Sequence, residues 1–334
     1  MNKMIELNEC DFNTSKFTSS VLDYVNKHNL WGIWVPKLYG GLECSIKEGL
    51  NKLQELAKTD GSLGWTVTLC SGANFFIGNL KPNIASEIFK PNETTILGGS
   101  GGVFGEAHKV EGGYQIDGTW HYATGANYLT HFTLNAKIFE NGIQVLNEEG
   151  QPLVLSFILP KSKVEVIENW DTIGLKASVT HSFKVVNALV SEDFSFLYNV
   201  SYHNQAIFKI PFTVFADLTL LVNYIGMAQH FLAESQYKQE HATYLELKNS
   251  VTKAEGKLYE LADSIEQQIS VGENISQSFI DEVHATGSES VKELSGNIVA
   301  LFPFLGVKAV RESNGLHQIF NDFFTATQHH IFTR

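Results

Sequence analysis

The glycine-punctuated segment over residues 105–125 constrains the fold of this chain more than any other stretch. Gly112-Gly113 predicts a hairpin turn, because glycine adopts positive φ angles without steric cost. Residues 114–118 then alternate in polarity as a half-buried strand does. We expect Gly118-Thr119 to turn the chain into a second strand over residues 120–124. The segment therefore predicts a compact β-meander in the middle of the chain.

The composition is that of a folded enzyme rather than of a nucleic-acid or membrane protein. The 334 residues suit two or three domains, and 43% hydrophobic against 18% charged residues supply a large core. The formal net charge of -12 opposes binding to nucleic acid. No apolar run reaches membrane-spanning length, and residues 1–8 lack the features of a secretory signal. The three cysteines lack metal-ligand spacing and indicate reduced thiols in a cytoplasmic protein.

The residue pattern divides the chain into three segments. Residues 1–92 are mainly helical in pattern, residues 93–197 are β-rich, and residues 198–334 carry long helices with short connections. In the last segment the spacing of one face of a bundle helix is followed by Val251, Ala254, Leu258, Leu261, Ile265 and Ile269. The other helices of this segment are expected over residues 212–238, 279–311 and 316–332, and an interruption of the second at Pro303 stays open. We therefore expect a mostly α fold with a β middle domain and a four-helix bundle at the end.

Four motifs in register resemble the acyl-CoA dehydrogenase superfamily. The hairpin segment, with its Gly-Gly-Tyr, Gly-x-Trp and Ala-Thr-Gly elements, resembles the central β-domain of that family. The other three motifs lie over residues 30–41, 56–65 and 170–182. The resemblance implies an N-terminal helical domain, a central β-barrel and a C-terminal four-helix bundle.

The end of the chain resembles one branch of the superfamily, the two-component flavin-dependent monooxygenases such as 4-hydroxyphenylacetate hydroxylase and dibenzothiophene monooxygenase. Asp322 and His329 match an Asp and a His of that branch's final helix, whereas Gln318 and Asn321 stand where arginines are usual. A separation of seven residues would place Asp322 and His329 on one helix face, two turns apart. The resemblance implies that both are catalytic, with a neutral His329 that hydrogen-bonds activated oxygen or deprotonates a phenol. The alternative for His329 is an ordinary surface histidine.

The resemblance also implies a flavin beside the β-domain. The implied flavin-binding residues are Trp120, Thr124, Gly125, Ser178, Thr180 and Ser182. Each has an ordinary alternative, since a strand tryptophan usually packs in the core and Ser and Thr are common in turns. The expected cofactor is FAD or FMN, either bound or supplied as diffusible reduced flavin by a separate reductase. Glycine-rich residues 98–102 are expected to form a flexible loop over the active site. No metal is expected, because His121, His131 and His181 lack zinc-site spacing.

Three functions stay open on the sequence. The first is a monooxygenase that uses reduced flavin and O2 on a small aromatic or heteroatom substrate. The second is an FAD-dependent acyl-CoA dehydrogenase, whose base would have to come from another place because the family's usual glutamate segment is absent. Glu234, Glu240 and Glu246 are the bundle acids nearest the right region. The third is a non-catalytic relative with a degenerate flavin site. It is favoured by the missing phosphate-binding arginine, which Lys238 replaces only as a point charge. The superfamily implies a homotetramer or homodimer.

Overall fold

The computed structural model describes Leu7, residues 10–12 and residues 14–332. Apart from Leu7, the segment in which a secretory signal was sought lies outside the described residues. The fold is mostly helical around a central mixed β-sheet, which confirms the fold class expected at this level.

Four helices precede the sheet: α1 (Ser19–Lys27), α2 (Ile46–Thr59), α3 (Gly61–Asn74) and α4 (Pro82–Ile88). Helix α2 begins at a capping box, in which Ser45 and Glu48 each accept a hydrogen bond from the other's backbone N–H. Asp60 ends α2 and caps α3, because its side chain accepts a hydrogen bond from the Leu63 N–H. Helix α3 is buried on nearly all sides and lies at the centre of the molecule.

Eight strands form the sheet: β1 (Leu97–Val110), β2 (Gly113–Ala123), β3 (His131–Glu140), β4 (Ile143–Gln144), β5 (Val154–Pro160), β6 (Glu165–Ile167), β7 (His181–Val190) and β8 (Ser195–Phe196). Their order is β6-β7-β2-β1-β3-β5-β8, with β4 paired to β3. Only the β1–β3 pair is parallel among the paired strands of the described residues. The short edge strands β6 and β8 do not pair with each other there, so the sheet is open and the predicted barrel is not confirmed.

The predicted hairpin at Gly112-Gly113 is confirmed, but the predicted turn at Gly118-Thr119 is wrong. Strand β2 runs through that point without interruption, and Gly118 pairs in register with Gly105 of β1. A Cβ at Gly118 would lie 2.7 Å from the Trp120 ring, and one at Gly105 would overlap the same ring. These glycines therefore let the indole pack across the two strands, and they do not turn the chain.

The expected flexible loop over residues 98–102 is also wrong, because these residues lie within β1. The pairing of β1 with β3 shifts register on both sides of Val103, which marks an irregular, bulged stretch. A Cβ at Gly99 would collide with the Thr133 carbonyl oxygen. Glycine is required there because the two backbones approach closely.

Four helices follow the sheet: α5 (Phe212–Glu234), α6 (Ala242–Ser270), α7 (Gln277–Leu301) and α8 (Gly315–Ala326). Helix α5 packs against α2, α3 and the three other helices of this group. The apolar face predicted for α6 is confirmed, since all of its residues are buried. Helix α7 ends at Leu301 rather than at Arg311, because Pro303 has no N–H with which to continue the helical hydrogen bonds.

Helix α5 is, by length and composition, apolar enough to cross a membrane, contrary to the expectation that no such run exists. The most apolar window of this helix is 78% buried inside the protein. Contact with neighbours on several sides accounts for an all-round apolar surface, which is typical of a core helix.

The last helix is shorter than predicted, and this changes the relation of Asp322 to His329. Helix α8 ends at Ala326, and the His329 N–H donates to the Ala326 carbonyl in a tighter three-residue turn. The Tyr224 hydroxyl also donates to that carbonyl, at 2.7 Å, and so satisfies a group at the helix terminus. His329 lies beyond the helix, so the prediction that it shares a helix face with Asp322 is wrong.

Replacement of Gly105 should show that this position exists to accommodate Trp120. We expect Gly105→Ala to lower the free energy of unfolding by about 1–3 kcal/mol, because the added methyl overpacks the indole. Gly101→Ala in the same strand is the matched control, since a Cβ there meets no atom within 4 Å. Urea unfolding measures both variants, and equal losses would contradict this account.

Candidate active site

A bulge in β2 turns two neighbouring side chains toward the outside of the sheet. Between its pairings at Trp120 and Ala123, β2 has one residue more than its partner strand β7. His121 and Tyr122 occupy this bulge, and both are exposed. Tyr122 is 72% exposed and has a φ of 64°. Bulky residues with such backbone angles are uncommon and cluster at functional sites.

The same bulge leaves Trp120 inside the sheet. Its side chain is fully buried, and its ring stacks on Phe183 with centroids 5.4 Å apart. The indole N–H donates to the Asn135 carbonyl at 2.9 Å. Trp120 therefore presents no exposed ring face, whereas Tyr122 does. The assignment of Trp120 to the flavin stays a prediction.

Three of the predicted flavin-binding side chains form a buried hydroxyl cluster, defined by Thr124, Ser178 and Thr180. Ser178 Oγ lies 2.8 Å from Thr180 Oγ1, which lies 3.2 Å from Thr124 Oγ1. The Ser178 hydroxyl donates to the Leu175 carbonyl at 2.6 Å, and the Gly125 N–H donates to the Ser178 carbonyl at 2.8 Å. The structure thus joins the end of β2 to the loop that precedes β7.

That loop has a strained backbone. Leu175 and Val179 have φ angles of 51° and 41°, a region that residues with a Cβ, and β-branched residues above all, avoid. Each such residue costs about 1–3 kcal/mol and persists only where its surroundings impose it. Here the Trp170 indole N–H donates to the Leu175 carbonyl at 2.9 Å, and both strained side chains are buried.

The remaining predicted residue, Ser182, belongs to a second polar group at the start of β7. Asn169 Nδ2 donates to Ser182 Oγ at 2.9 Å, and His121 Nδ1 lies 3.1 Å from the same oxygen. His181 Nδ1 accepts the Trp170 N–H at 2.9 Å, which assigns the ring proton to Nε2 in the neutral imidazole. Burial lowers the pKa of His181, and its Nε2 has no hydrogen-bond partner among the described residues.

Two buried carboxyl groups, those of Asp60 and Asp322, lie where α3, α8 and this loop meet. Asp60 is 3% exposed and Asp322 is 2% exposed. Asp60 accepts hydrogen bonds from the Leu63 N–H at 2.8 Å and from Gln318 Nε2 at 3.0 Å. Asp322 Oδ1 accepts the Leu175 N–H at 2.5 Å, whereas its Oδ2 has no partner among the described residues. Burial raises the pKa of both carboxyl groups, and the neighbouring charge of Asp60 raises that of Asp322 further.

A cavity of about 470 Å³ opens beside the carboxyl pair. It is lined by Phe12, Thr14, Ser15, Ser62, Ile173, Lys176, Glu312, Ser313, His317, Gln318, Asn321 and Asp322. The lining combines many hydrogen-bonding groups with two apolar side chains. Such a cavity suits a small molecule that carries polar groups.

His329 packs against the side of α3, whereas Asp322 packs against the start of that helix. The imidazole of His329 lies edge-on to the Trp65 ring, with centroids 5.6 Å apart, and stacks on His330 at 4.8 Å. A Cβ added to Gly61 would lie 2.9 Å from Asp322 Oδ2, which shows how closely that carboxyl approaches the helix. The two predicted catalytic residues thus have different neighbours along one helix.

The glutamates that acyl-CoA dehydrogenation would require are exposed on the helical segment: Glu234, Glu240 and Glu246. An exposed carboxylate lacks the desolvation that raises the basicity of an active-site base. Lys238, the candidate substitute for the missing arginine, is half-buried, and its ammonium lies 5.9 Å from the centre of the Tyr237 ring. The dehydrogenase alternative therefore finds no buried base at these positions.

The histidines of the β-rich segment make other contacts. His131 Nδ1 lies 3.0 Å from Thr130 Oγ1, and His121 and His181 have the partners given above. Across residues 14–332, no three His, Cys, Asp or Glu side chains are grouped in a way that could hold a metal ion.

Sequence reasoning missed Tyr122 and Asp60. A strand with a period of two residues would place Tyr122 on the same face as Trp120, so no sequence signal separates them without the bulge. Asp60 does carry a signal, because an Asp directly before a helical pattern is a typical N-cap. That signal predicts the cap but not the contact with α8, which lies more than 250 residues further along the chain.

Comparison with known proteins identifies relatives of this chain among monooxygenases. No family model matches the chain. Indole-3-acetate monooxygenase from Pseudomonas putida is 29% identical over 217 residues, which cover 64% of this chain and 53% of that enzyme. The enzyme of the same name from Acinetobacter baumannii is 23% identical over 95% of this chain and 84% of its own length. HsaA, a flavin-dependent monooxygenase oxygenase subunit from Mycobacterium tuberculosis, is 22% identical over 63% of this chain and 54% of its own. The chain thus spans about half the length of two of these three relatives.

Solved structures agree on the fold. XiaF from Streptomyces, in complex with FADH2 and glycerol, matches with a TM-score of 0.85 and 18% identity over 95% of this chain and 85% of its own. TdsC from Paenibacillus, in complex with FMN and indole, matches with a TM-score of 0.76 and 18% identity over 92% and 85%. The chain has the acyl-CoA dehydrogenase-like fold. Its homologues and structural neighbours are oxygenase components of two-component flavin-dependent monooxygenases, which confirms the resemblance found in the sequence.

Removal of the Ser178 hydroxyl should disrupt the hydroxyl cluster. We expect Ser178→Ala to lower the free energy of unfolding by about 1–3 kcal/mol, because the buried Thr180 and Leu175 lose a partner. Ser86→Ala is the control, since that exposed hydroxyl makes a similar bond to the Pro82 carbonyl and its loss should cost less than about 0.5 kcal/mol. Chemical denaturation compares the two. A Ser178→Ala variant as stable as the control would show that the cluster contributes little.

Proposed function

We propose that this protein is the oxygenase component of a flavin-dependent monooxygenase that transfers one oxygen atom from O2 to a small aromatic substrate. The named relatives support this proposal, because they are monooxygenases and two of them are named for indole-3-acetate. The cofactor is FAD or FMN in its reduced form, in keeping with the flavins bound in two structural neighbours.

The observation that supports the proposal most is the ring contact between His329 and Trp65 on the side of α3. By contrast, the candidate dehydrogenase glutamates of this chain are all exposed. A neutral imidazole at this position accepts the proton of a phenol or donates to an oxygen atom, since its ordinary pKa lies near neutrality. The Trp65 indole packs edge-on against that ring and restricts its orientation.

The residues around the end of β2 and the start of β7 fit a flavin. Tyr122 offers an exposed aromatic face, and His181 Nε2 is a buried donor without a partner among the described residues. The hydroxyl cluster of Thr124, Ser178 and Thr180 fixes the position of the backbone around this site, and Ser182 Oγ lies beside His121. Reduced flavin, when bound, supplies the electrons that activate O2. The protein's own part is to bind and orient the ring, to exclude water and to place the His329 imidazole near the substrate.

An aromatic acid is the substrate class that the relatives' names indicate, and its carboxylate is proposed to enter the cavity beside Asp322. Lys176 is the cationic side chain of that lining, and it suits a carboxylate. A separate flavin reductase is the proposed partner, because one relative is named as an oxygenase subunit.

The finer architecture is proposed along the lines that the sequence suggested. Residues 1–92 would form a helical domain, residues 93–197 a β-domain and residues 198–334 a four-helix bundle. A homotetramer or homodimer in the cytoplasm is the proposed state. Sedimentation at several concentrations measures the oligomer, and a monomer at all of them would overturn that part.

Anaerobic titration with oxidised and reduced FAD and FMN tests the proposed function directly. We expect reduced flavin to bind at least tenfold more tightly than oxidised flavin, and O2 then to be consumed with oxygenation of an aromatic acid such as indole-3-acetate. Tight binding of oxidised FAD that acyl-CoA esters bleach would support the dehydrogenase alternative instead. A protein that binds neither oxidation state of either flavin would be a non-catalytic relative.

His329 should affect oxygenation more than flavin binding. We expect His329→Gln to lower the rate of substrate oxygenation by about 10²-fold or more, because the variant loses proton transfer by the imidazole, with reduced-flavin affinity nearly unchanged. His330→Gln is the matched control, since His330 is the exposed neighbour and should retain the rate. Equal rates for the two variants would remove His329 from the mechanism.

A further inference from the structure

Two glycines, Gly61 and Gly174, lie close to the turn of α8 that carries Asp322. A Cβ at Gly61 would lie 2.8 Å from the Asp322 Cβ, and a Cβ at Gly174 would overlap the backbone of Asn321. Both surrounding elements therefore present glycine to the same turn of α8. Only backbone without side chains lets the start of α3 and the loop before β7 close around this carboxyl.

The hydrogen bonds divide unequally between the two carboxyl groups. Asp60 accepts from the Leu63 N–H and from Gln318 Nε2, and donors on both of its oxygens favour the ionised form. Asp322 Oδ2 is buried without a donor among the described residues, and the charge of Asp60 is its close neighbour. A carboxyl oxygen in this position is most stable when it carries a proton and donates.

The charged groups near the pair do not neutralise it. Gln318, the side chain that reaches Asp60, is a neutral donor. The other titratable side chains that line the adjoining cavity are Lys176 from the loop before β7, Glu312 from the segment before α8, and His317 from α8 itself. The Leu175 N–H, Lys176 and the Gln318 amide lower the pKa of Asp322, but by less than burial and the charge of Asp60 raise it. Within the described residues, none of the three titratable cavity side chains makes a hydrogen bond or ion pair with either carboxyl group, and Glu312 adds negative charge.

We propose that Asp60 and Asp322 form a positioning pair that holds one proton at neutral pH, carried on Asp322 Oδ2 and shared toward the Asp60 carboxylate. The proton joins α3 to α8, and Asp322 Oδ1 at the same time accepts the Leu175 N–H. Leu175 in turn accepts from the Ser178 hydroxyl, so that the pair acts on the hydroxyl cluster through the loop. Asp60 and Asp322 thus set the position of the active-site loop.

The sign of the pH dependence follows from the raised pKa values. A folded state that retains a proton which the unfolded chain releases loses relative stability as pH rises. The loss begins above the ordinary pKa of an aspartate, about 4, and ends at the folded-state pKa of the pair. Over that range the unfolding constant rises by up to about tenfold per pH unit from this proton alone.

Spectroscopy tests the proton itself. In the wild-type protein at neutral pH, we expect the infrared carbonyl band of a protonated carboxyl group, and Asp322→Asn should abolish it. Asp217→Asn is the spectroscopic control, because Asp217 is the other buried aspartate whose pKa burial raises. If Asp322→Asn does not fold, Asp60→Asn should shift the titration of the band to lower pH, since it removes the neighbouring charge. The absence of a protonated band from the wild type, or its loss only in Asp217→Asn, would overturn the proposal.

Stability against pH tests the positioning role. The side-chain amide of the Asp322→Asn variant keeps the acceptor for Leu175 and a donor for Asp60, so it mimics the protonated acid. We therefore expect the ratio of wild-type to Asp322→Asn unfolding constants to rise by up to about tenfold per pH unit between about pH 5 and 7. Asp171→Asn makes the same change at an exposed position of the same loop, and its ratio should stay within about twofold. Parallel profiles for the two variants would exclude a shared proton.

Flavin affinity adds a functional readout. This part rests on the proposed function: the affinity of the wild type for reduced flavin should fall with pH over the same range, and that of Asp322→Asn should not. If the protein binds no flavin, the infrared and stability measurements still decide the proposal. An affinity profile identical in the two proteins would show that the pair does not position the loop.

Discussion

The packing of one buried carboxyl group against two glycines organises this molecule. Asp322, on the last helix, lies where the start of α3 and the loop before β7 converge on it. These three elements come from distant parts of the chain, and both α3 and the loop present a glycine to α8. Because the burial of a charge is costly without partners, the site is stable only when hydrogen bonds and a proton satisfy both carboxyl groups. The cavity and the strained loop are neighbours of that contact.

The β-bulge at His121 and Tyr122 gives neighbouring residues of β2 different surroundings. On one side of it, Trp120 packs into the core over Gly105 and Gly118. Within the bulge, Tyr122 is exposed and has a left-handed backbone, and it precedes Thr124 of the hydroxyl cluster by two residues. The strained backbone of Tyr122 thus presents an aromatic face that regular alternation would have buried.

Prediction from the sequence succeeded where the signal is local or repeats with a period. The hairpin at Gly112-Gly113 follows from glycine, and the buried face of α6 follows from its spacing. The resemblance to flavin-dependent monooxygenases also came from motifs that are each short and continuous in sequence. Prediction failed at Gly118, at the end of α8 and over residues 98–102. In these places the role of a residue depends on a partner that is distant in sequence.

The sequence by itself determined the order of the elements, the amphipathic faces and the class of relatives, because these properties depend on residues within a few positions of one another. Only the tertiary structure decided which side of the sheet Tyr122 occupies and that His329 packs on Trp65. It also decided that the buried carboxyl groups of Asp60 and Asp322 are neighbours. The physical reason is that bulges, helix ends and the protonation of buried groups are set by long-range packing and desolvation, which no local pattern encodes.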